Sequence, residues 1–140
     1  NLVYGTVAVN PASDTSLIFN LDTDTLPTDT INDVDKIIDA RANYPGDGTI
    51  AAASNGQRYL ITEQITASGY TNWNVDANEN DIIEYNGSAW VVSFDASSQS
   101  GNTHYTHNTF TSKQFQWTGT QWISSYEGEY KPGYWRIILL

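Results

Sequence analysis

Cysteine and methionine are both missing from these 140 residues, and only six side chains are basic. Without cysteine the chain has no disulfides and no thiolate metal ligands, and it gives no clue to its redox compartment. Six cations against 16 carboxylates give a net charge of -10. Such a surface repels a nucleic-acid duplex or an anionic bilayer, so neither is an expected partner. No apolar run approaches the ~18 residues of a membrane helix, and no signal-peptide pattern is visible. The chain opens on Asn1, and with no Met this fits a processed product or a piece of something longer. Charged residues are scarce at 16%, against about 25% in an ordinary globular domain.

Asn, Thr and Ser fill the gap, beside nine Tyr and five Trp. Uncharged polar residues with aromatics favour strands and turns over helices. One domain fits the length. Residues 1–27 read as an extended segment: Leu2-Val3-Tyr4, Thr6–Val9 and Leu17-Ile18-Phe19 are short β-prone runs, and Asn10-Pro11 marks a turn. Residues 28–45 carry the single helix signal. In Thr30–Arg41, TINDVDKIIDAR, the side chains of Ile31, Val34, Ile37 and Ile38 fall on one face at helical spacing. Thr28 or Thr30 can cap that helix, acids crowd its positive end, and Tyr44-Pro45-Gly46 stops it. The spacing predicts an α-helix near residues 30–42.

Residues 49–140 read as β-hairpin repeats. Asp81–Ala96, DIIEYNGSAWVVSFDA, is echoed by Lys113–Gly128, KQFQWTGTQWISSYEG, and a partial copy begins at Asn55-Gly56-Gln57-Arg58-Tyr59. The shared pattern is Asn or Thr, then Gly, two variable residues, an aromatic, two mostly apolar residues and a hydroxyl. Glycine there admits the positive φ that tight hairpin turns demand. Strand parity then puts Ile83, Tyr85, Trp90, Val92 and Phe94 on one face, and Phe115, Trp117, Trp122, Ser124 and Tyr126 on the corresponding face of the later copy. Each hairpin presents an aromatic side that must be covered, so the copies are expected to pack into one sheet or against the helix. A propeller needs more chain than this. The predicted fold class is mainly β (α+β): an antiparallel sheet or sandwich of repeated hairpins with one α-helix.

Candidate chemistry is sparse. His104 and His107 sit in NTHYTHN among Asn, Thr and Tyr. That context reads as an exposed connection between hairpins rather than a metal site. An EF-hand loop starting at Asp22 fails, because Leu26, Pro27 and Asp33 stand where an oxygen ligand, Gly and Glu are needed. Glu63, Glu79, Glu84, Glu127 and Glu129 offer carboxylates for glycoside hydrolysis, but nothing singles out a pair. No phosphate loop or nucleophile elbow is present. The expectation is a protein that is not an enzyme and needs no cofactor or metal. Tyr130, Tyr134 and Trp135, flanking Lys131-Pro132-Gly133, are the candidate interface or glycan platform. The closing WRIILL is expected to be a buried last strand, or one paired with a neighbouring subunit.

In DIIEYNGSAWVVSFDA, KQFQWTGTQWISSYEG and EGEYKPGYWRIIL, the sequence resembles virion structural proteins of tailed bacteriophages, most of all marine T4-like myoviruses. LPTDTINDVDKIIDARANYPGDGTI and SNGQRYLIT extend the likeness over most of residues 26–139. The resemblance implies a tail-, neck- or baseplate-associated protein in the virion, with other virion proteins as partners and a homo-oligomeric state. No catalytic residues come with it. A glycan- or receptor-binding β module is the alternative expectation.

Overall fold

A computed structural model describes residues 5–21 and 29–125. Among these described residues, nine strands form three sheets. Strands β1 (Gly5–Val9) and β2 (Leu17–Leu21) make an isolated antiparallel hairpin. Strands β3 (Lys36–Ile38), β4 (Arg58–Ile61), β5 (Ile82–Tyr85) and β6 (Trp90–Phe94) form a four-stranded sheet in chain order, with only β3 and β4 parallel. Strands β7 (His104–Asn108), β8 (Lys113–Trp117) and β9 (Trp122–Ser125) form an antiparallel meander. The fold is therefore mainly β.

Both full copies of the repeat are hairpins. Tyr85 pairs with Trp90 across the turn 86–89, and Trp117 with Trp122 across the turn 118–121. Gly87 and Gly119 both adopt φ 93, which side chains with a Cβ reach only under strain. In the first turn the Asn86 carboxamide oxygen accepts from the amides of Ser88 and Ala89. In the second, the Thr118 hydroxyl accepts from the Gln121 amide. The partial copy keeps its turn but has no strand before it. Gly56, at φ 85, donates its amide to the Tyr85 carbonyl. The turn thus docks on the second copy and feeds β4 against β5.

The four-stranded sheet is covered on both faces. Tyr59, Ile61, Ile83 and Trp90 point to one side, where Ile38, Ala40, Ile50, Ile65, Trp73 and Ala77 complete a core. The segment between β4 and β5 makes most of that cover. Trp73 packs 4.8 Å from the Trp90 ring and 5.9 Å from Tyr59, and its indole N–H donates to the carbonyls of Ala40 and Asn43. On the other side Leu60, Ile82 and Phe94 meet Val34 and Trp117. Phe94 lies 5.9 Å from Trp117 and 5.1 Å from Trp122. The meander therefore packs on the second face, as in a small sandwich.

Two expectations are corrected by the structure. Among the described residues there is no helix of seven or more residues; the one helical turn is the 3-10 segment Ala96–Gln99. Residues 29–38 are extended instead. Tyr105 and Ile31 donate their amides to the carbonyls of Asp29 and Tyr105, and Val34 donates to His107, so the segment first lines β7. It then becomes β3 and pairs with β4. The apolar residues at helical spacing serve two cores: Val34 and Ile37 face the inter-sheet side, while Ile38 enters the other. Thr, Ile, Val, Asn and Asp are poor helix formers, because β-branched χ1 angles are crowded in a helix and Asn and Asp bond their own backbone. Asp39 does this directly, accepting from the amides of Arg41 and Ala42 where a helix would continue.

The second correction is Phe94. Ile82 pairs with Phe94 but Ile83 with Val92, so Ser93 is an extra residue in β6. This bulge turns Phe94 to the face opposite Trp90 and Val92. The Ser93 hydroxyl donates to the Ile82 carbonyl at the irregularity.

Candidate interaction surfaces

The ionisable groups of the body act mainly as structural ties. Arg58 and Glu84, opposite one another on β4 and β5, form an ion pair shielded by the inter-sheet side. Glu63 pairs with Arg41 at 3.2 Å on the surface. Asp81 is only 2% exposed, and its two oxygens accept from the amides of Asn78 (2.7 Å) and Ala96 (2.9 Å). Burial raises its pKa above the ordinary carboxylate value, against the pull of those two hydrogen bonds. Asp47 shows the opposite balance. Amides of Ile50, Tyr44 and Thr49 converge on its carboxylate and lower its pKa. Both carboxylates are engaged by backbone amides.

His104 and His107 both lie on β7, a strand in the middle of the body, not in an exposed connection. Three residues apart on a strand, they point to opposite faces. His104 stacks edge-on against Phe94 at 5.4 Å and bonds the Gln99 carboxamide oxygen at 2.8 Å. His107 places Nδ1 3.8 Å from an Asp33 carboxylate oxygen. Among the described residues, no three His, Asp or Glu side chains are grouped to hold a metal ion, and no helix is long and apolar enough to cross a membrane.

The aromatics of the repeats are consumed by packing. Tyr59, Trp90 and Trp117 are buried, and half-buried Trp122 donates its indole N–H to the Asn80 carbonyl. They are not available as a stacking platform. Tyr130, Tyr134 and Trp135 lie outside the described residues, as do Glu127, Glu129 and the WRIILL segment.

The most exposed apolar side chains lie elsewhere. Phe110, in the β7–β8 turn, is 70% exposed, with the Lys36 ammonium 4.6 Å from its ring centre. The larger set is on the N-terminal hairpin. Val7, Val9 and Leu17 are 54%, 77% and 61% exposed, and Val9 stands directly opposite Leu17. Parity puts these three on one face, with Thr6, Ala8, Ile18 and Asn20 on the other. The sequence predicts strands there but assigns them no role. The available signal is alternation in Val7-Ala8-Val9 within a stretch almost free of charge.

Comparison of the chain with protein-family models, with characterised proteins and with solved structures gives no match.

Proposed function

We propose that this chain is a non-enzymatic structural module of a tailed-phage particle, working through protein–protein contacts. The observation that carries the reading is the distribution of side chains. Among the described residues, the indoles of Trp73, Trp90, Trp117 and Trp122 and the buried Asp81 carboxylate are committed to packing and backbone hydrogen bonds, while the most exposed group of large apolar side chains stands on a separate hairpin. Exposed apolar strands rimmed by uncharged polar residues are what recurrent subunit contacts use. The resemblance to phage virion proteins supplies the particle. The glycan-binding alternative rests on Tyr130, Tyr134 and Trp135, since the repeat aromatics are buried.

Mass spectrometry of purified particles from a producing host tests the proposal. The chain should be present in fixed stoichiometry to other structural proteins, and its absence from washed particles would refute the reading. A glycan array probed with the full chain tests the alternative, which is lost if Trp135→Ala leaves any binding unchanged.

A further inference from the structure

We infer that the β1–β2 hairpin is a self-association arm, which packs its Val7, Val9 and Leu17 face against the same face of a second copy of this chain. This rests on the contact-forming role proposed above and names the partner.

Among the described residues, no side chain of the hairpin joins either core. None of its described side chains is buried, whereas the four-stranded sheet already has both faces filled. A hairpin of two strands is marginal in water without a cover, so an apolar face of this kind calls for one. Charge selects the occupant. Asp14, in the turn, is the single charged side chain in residues 1–21. All six basic residues and the other carboxylates belong to the remainder, within a chain of net charge -10. A cationic partner would settle on that acidic remainder and gain nothing from a neutral apolar face. Two like-charged copies repel everywhere else, and the hairpin is where they can meet without bringing carboxylates together. The face is also its own complement, as a two-fold contact requires: Val9 and Leu17 form a cross-strand pair that can interdigitate with the same pair of the other copy.

Analytical ultracentrifugation of the full chain over a concentration series reads the association directly. The wild type should dimerise, and more strongly at high salt, because salt screens the repulsion and leaves an uncharged contact intact. Val9→Glu should weaken the dimer by at least ~100-fold, since it would bury an unpaired carboxylate in the contact. Intact tryptophan fluorescence should show that the body still folds. Because the chain has no cysteine, Val9→Cys provides a second reading. It should form a disulfide-linked dimer on oxidation, while Ser88→Cys in the β5–β6 turn should not. A wild type that stays monomeric, or a dimer indifferent to Val9→Glu with no cross-link at Val9→Cys, overturns the inference. Either result leaves the particle reading standing, because presence in washed particles is measured separately. A dimer formed by a chain absent from particles would remove that reading alone.

Discussion

Two hairpins in this chain have strands of similar length and apolar content, yet they sit in opposite surroundings. In β5–β6, Ile82 and Ile83 are fully buried on opposite faces, Trp90 closes one core and Phe94 the other. In β1–β2, Val7, Val9 and Leu17 face outward. Strand propensity made both ribbons, but it did not decide which was covered. Cover came from neighbouring segments of the chain. The Trp73 segment and the β7–β9 meander each lay a large indole on one face of the four-stranded sheet, and nothing comparable among the described residues reaches the N-terminal hairpin. Burial in this fold is assigned by tryptophan.

The sharpest way to break that contrast is Trp73→Ala. The side chain is among the largest that are fully buried, and it contacts Tyr59 and Trp90 while its N–H ties down two carbonyls. Loss of the ring leaves a cavity and two weakened acceptors, at a cost of about 3–5 kcal/mol. Against a total of about 5–15 kcal/mol for such a domain, the variant should be close to unfolding at room temperature. Urea titration followed by circular dichroism checks this. If stability falls by less than about 1 kcal/mol (roughly the average for point substitutions of all kinds), the cover on that face is supplied by something other than Trp73.

The glycines of the repeat separate conformational need from packing need. Gly56, Gly87 and Gly119 all hold positive φ, so each alanine substitution should cost roughly 1–2 kcal/mol from strain alone. A Cβ at Gly56 meets nothing within 4 Å, whereas one at Gly119 would lie 2.7 Å from the Gly101 nitrogen and 2.9 Å from its Cα. Backbone cannot swing aside as a side chain can. Gly119→Ala should therefore be worse than Gly56→Ala by a further ~1 kcal/mol or more, measured in the same urea series. Equal losses would show that the 118–121 turn and the Gly101 loop separate readily.

The same residues explain how much of the fold was legible in the sequence. The turns at Gly56, Gly87 and Gly119 were readable because positive φ is a local demand that glycine meets wherever it sits. The inward aromatics of Trp90 and Trp117 followed from strand parity. The segment 29–38 misleads because Val34, Ile37 and Ile38 satisfy a helical period by serving two different cores, and that depends on sheets formed later in the chain. The Ser93 bulge was hidden for a related reason, since the pairing of Ile82 and Phe94 leaves no mark in composition. Of the candidate surfaces, Val7, Val9 and Leu17 carried an alternation signal, but their exposure is a property of what fails to cover them. Phe110 carried no signal at all.

Asp81 and Asp47 should differ in the sign of their pH dependence. Asp81 has its pKa raised by burial. The folded state therefore holds its proton to higher pH than the unfolded chain, and this group's contribution to stability falls as pH rises from the ordinary carboxylate value of 3.8 through the raised one. Asp47 has its pKa lowered by hydrogen bonds. Its contribution is present above 3.8 and lost as pH falls through the lowered value. Asp81→Asn should remove the first slope and leave the second, while costing about 1–3 kcal/mol at neutral pH because its amide group turns a donor toward a backbone N–H. Asp47→Asn should do the reverse to the pH profile. Stability curves from about pH 3 upward test both, and parallel profiles for the two variants would contradict the assigned environments.

The smallest effect is expected back on the N-terminal hairpin. Val7→Thr changes a methyl to a hydroxyl on the exposed face of β1, where water can satisfy it and strand preference is unaltered. Monomer unfolding monitored by tryptophan fluorescence should move by no more than about 0.5 kcal/mol. The same substitution at Val34, which is fully buried between the sheets, should cost about 1–3 kcal/mol, because that hydroxyl loses water without a designated partner. The body reports through Trp73, Trp90, Trp117 and Trp122, none of which lies in the hairpin. A loss at Val7→Thr matching that at Val34→Thr would mean that the arm and the body unfold as one cooperative unit, with the hairpin face covered within the single chain.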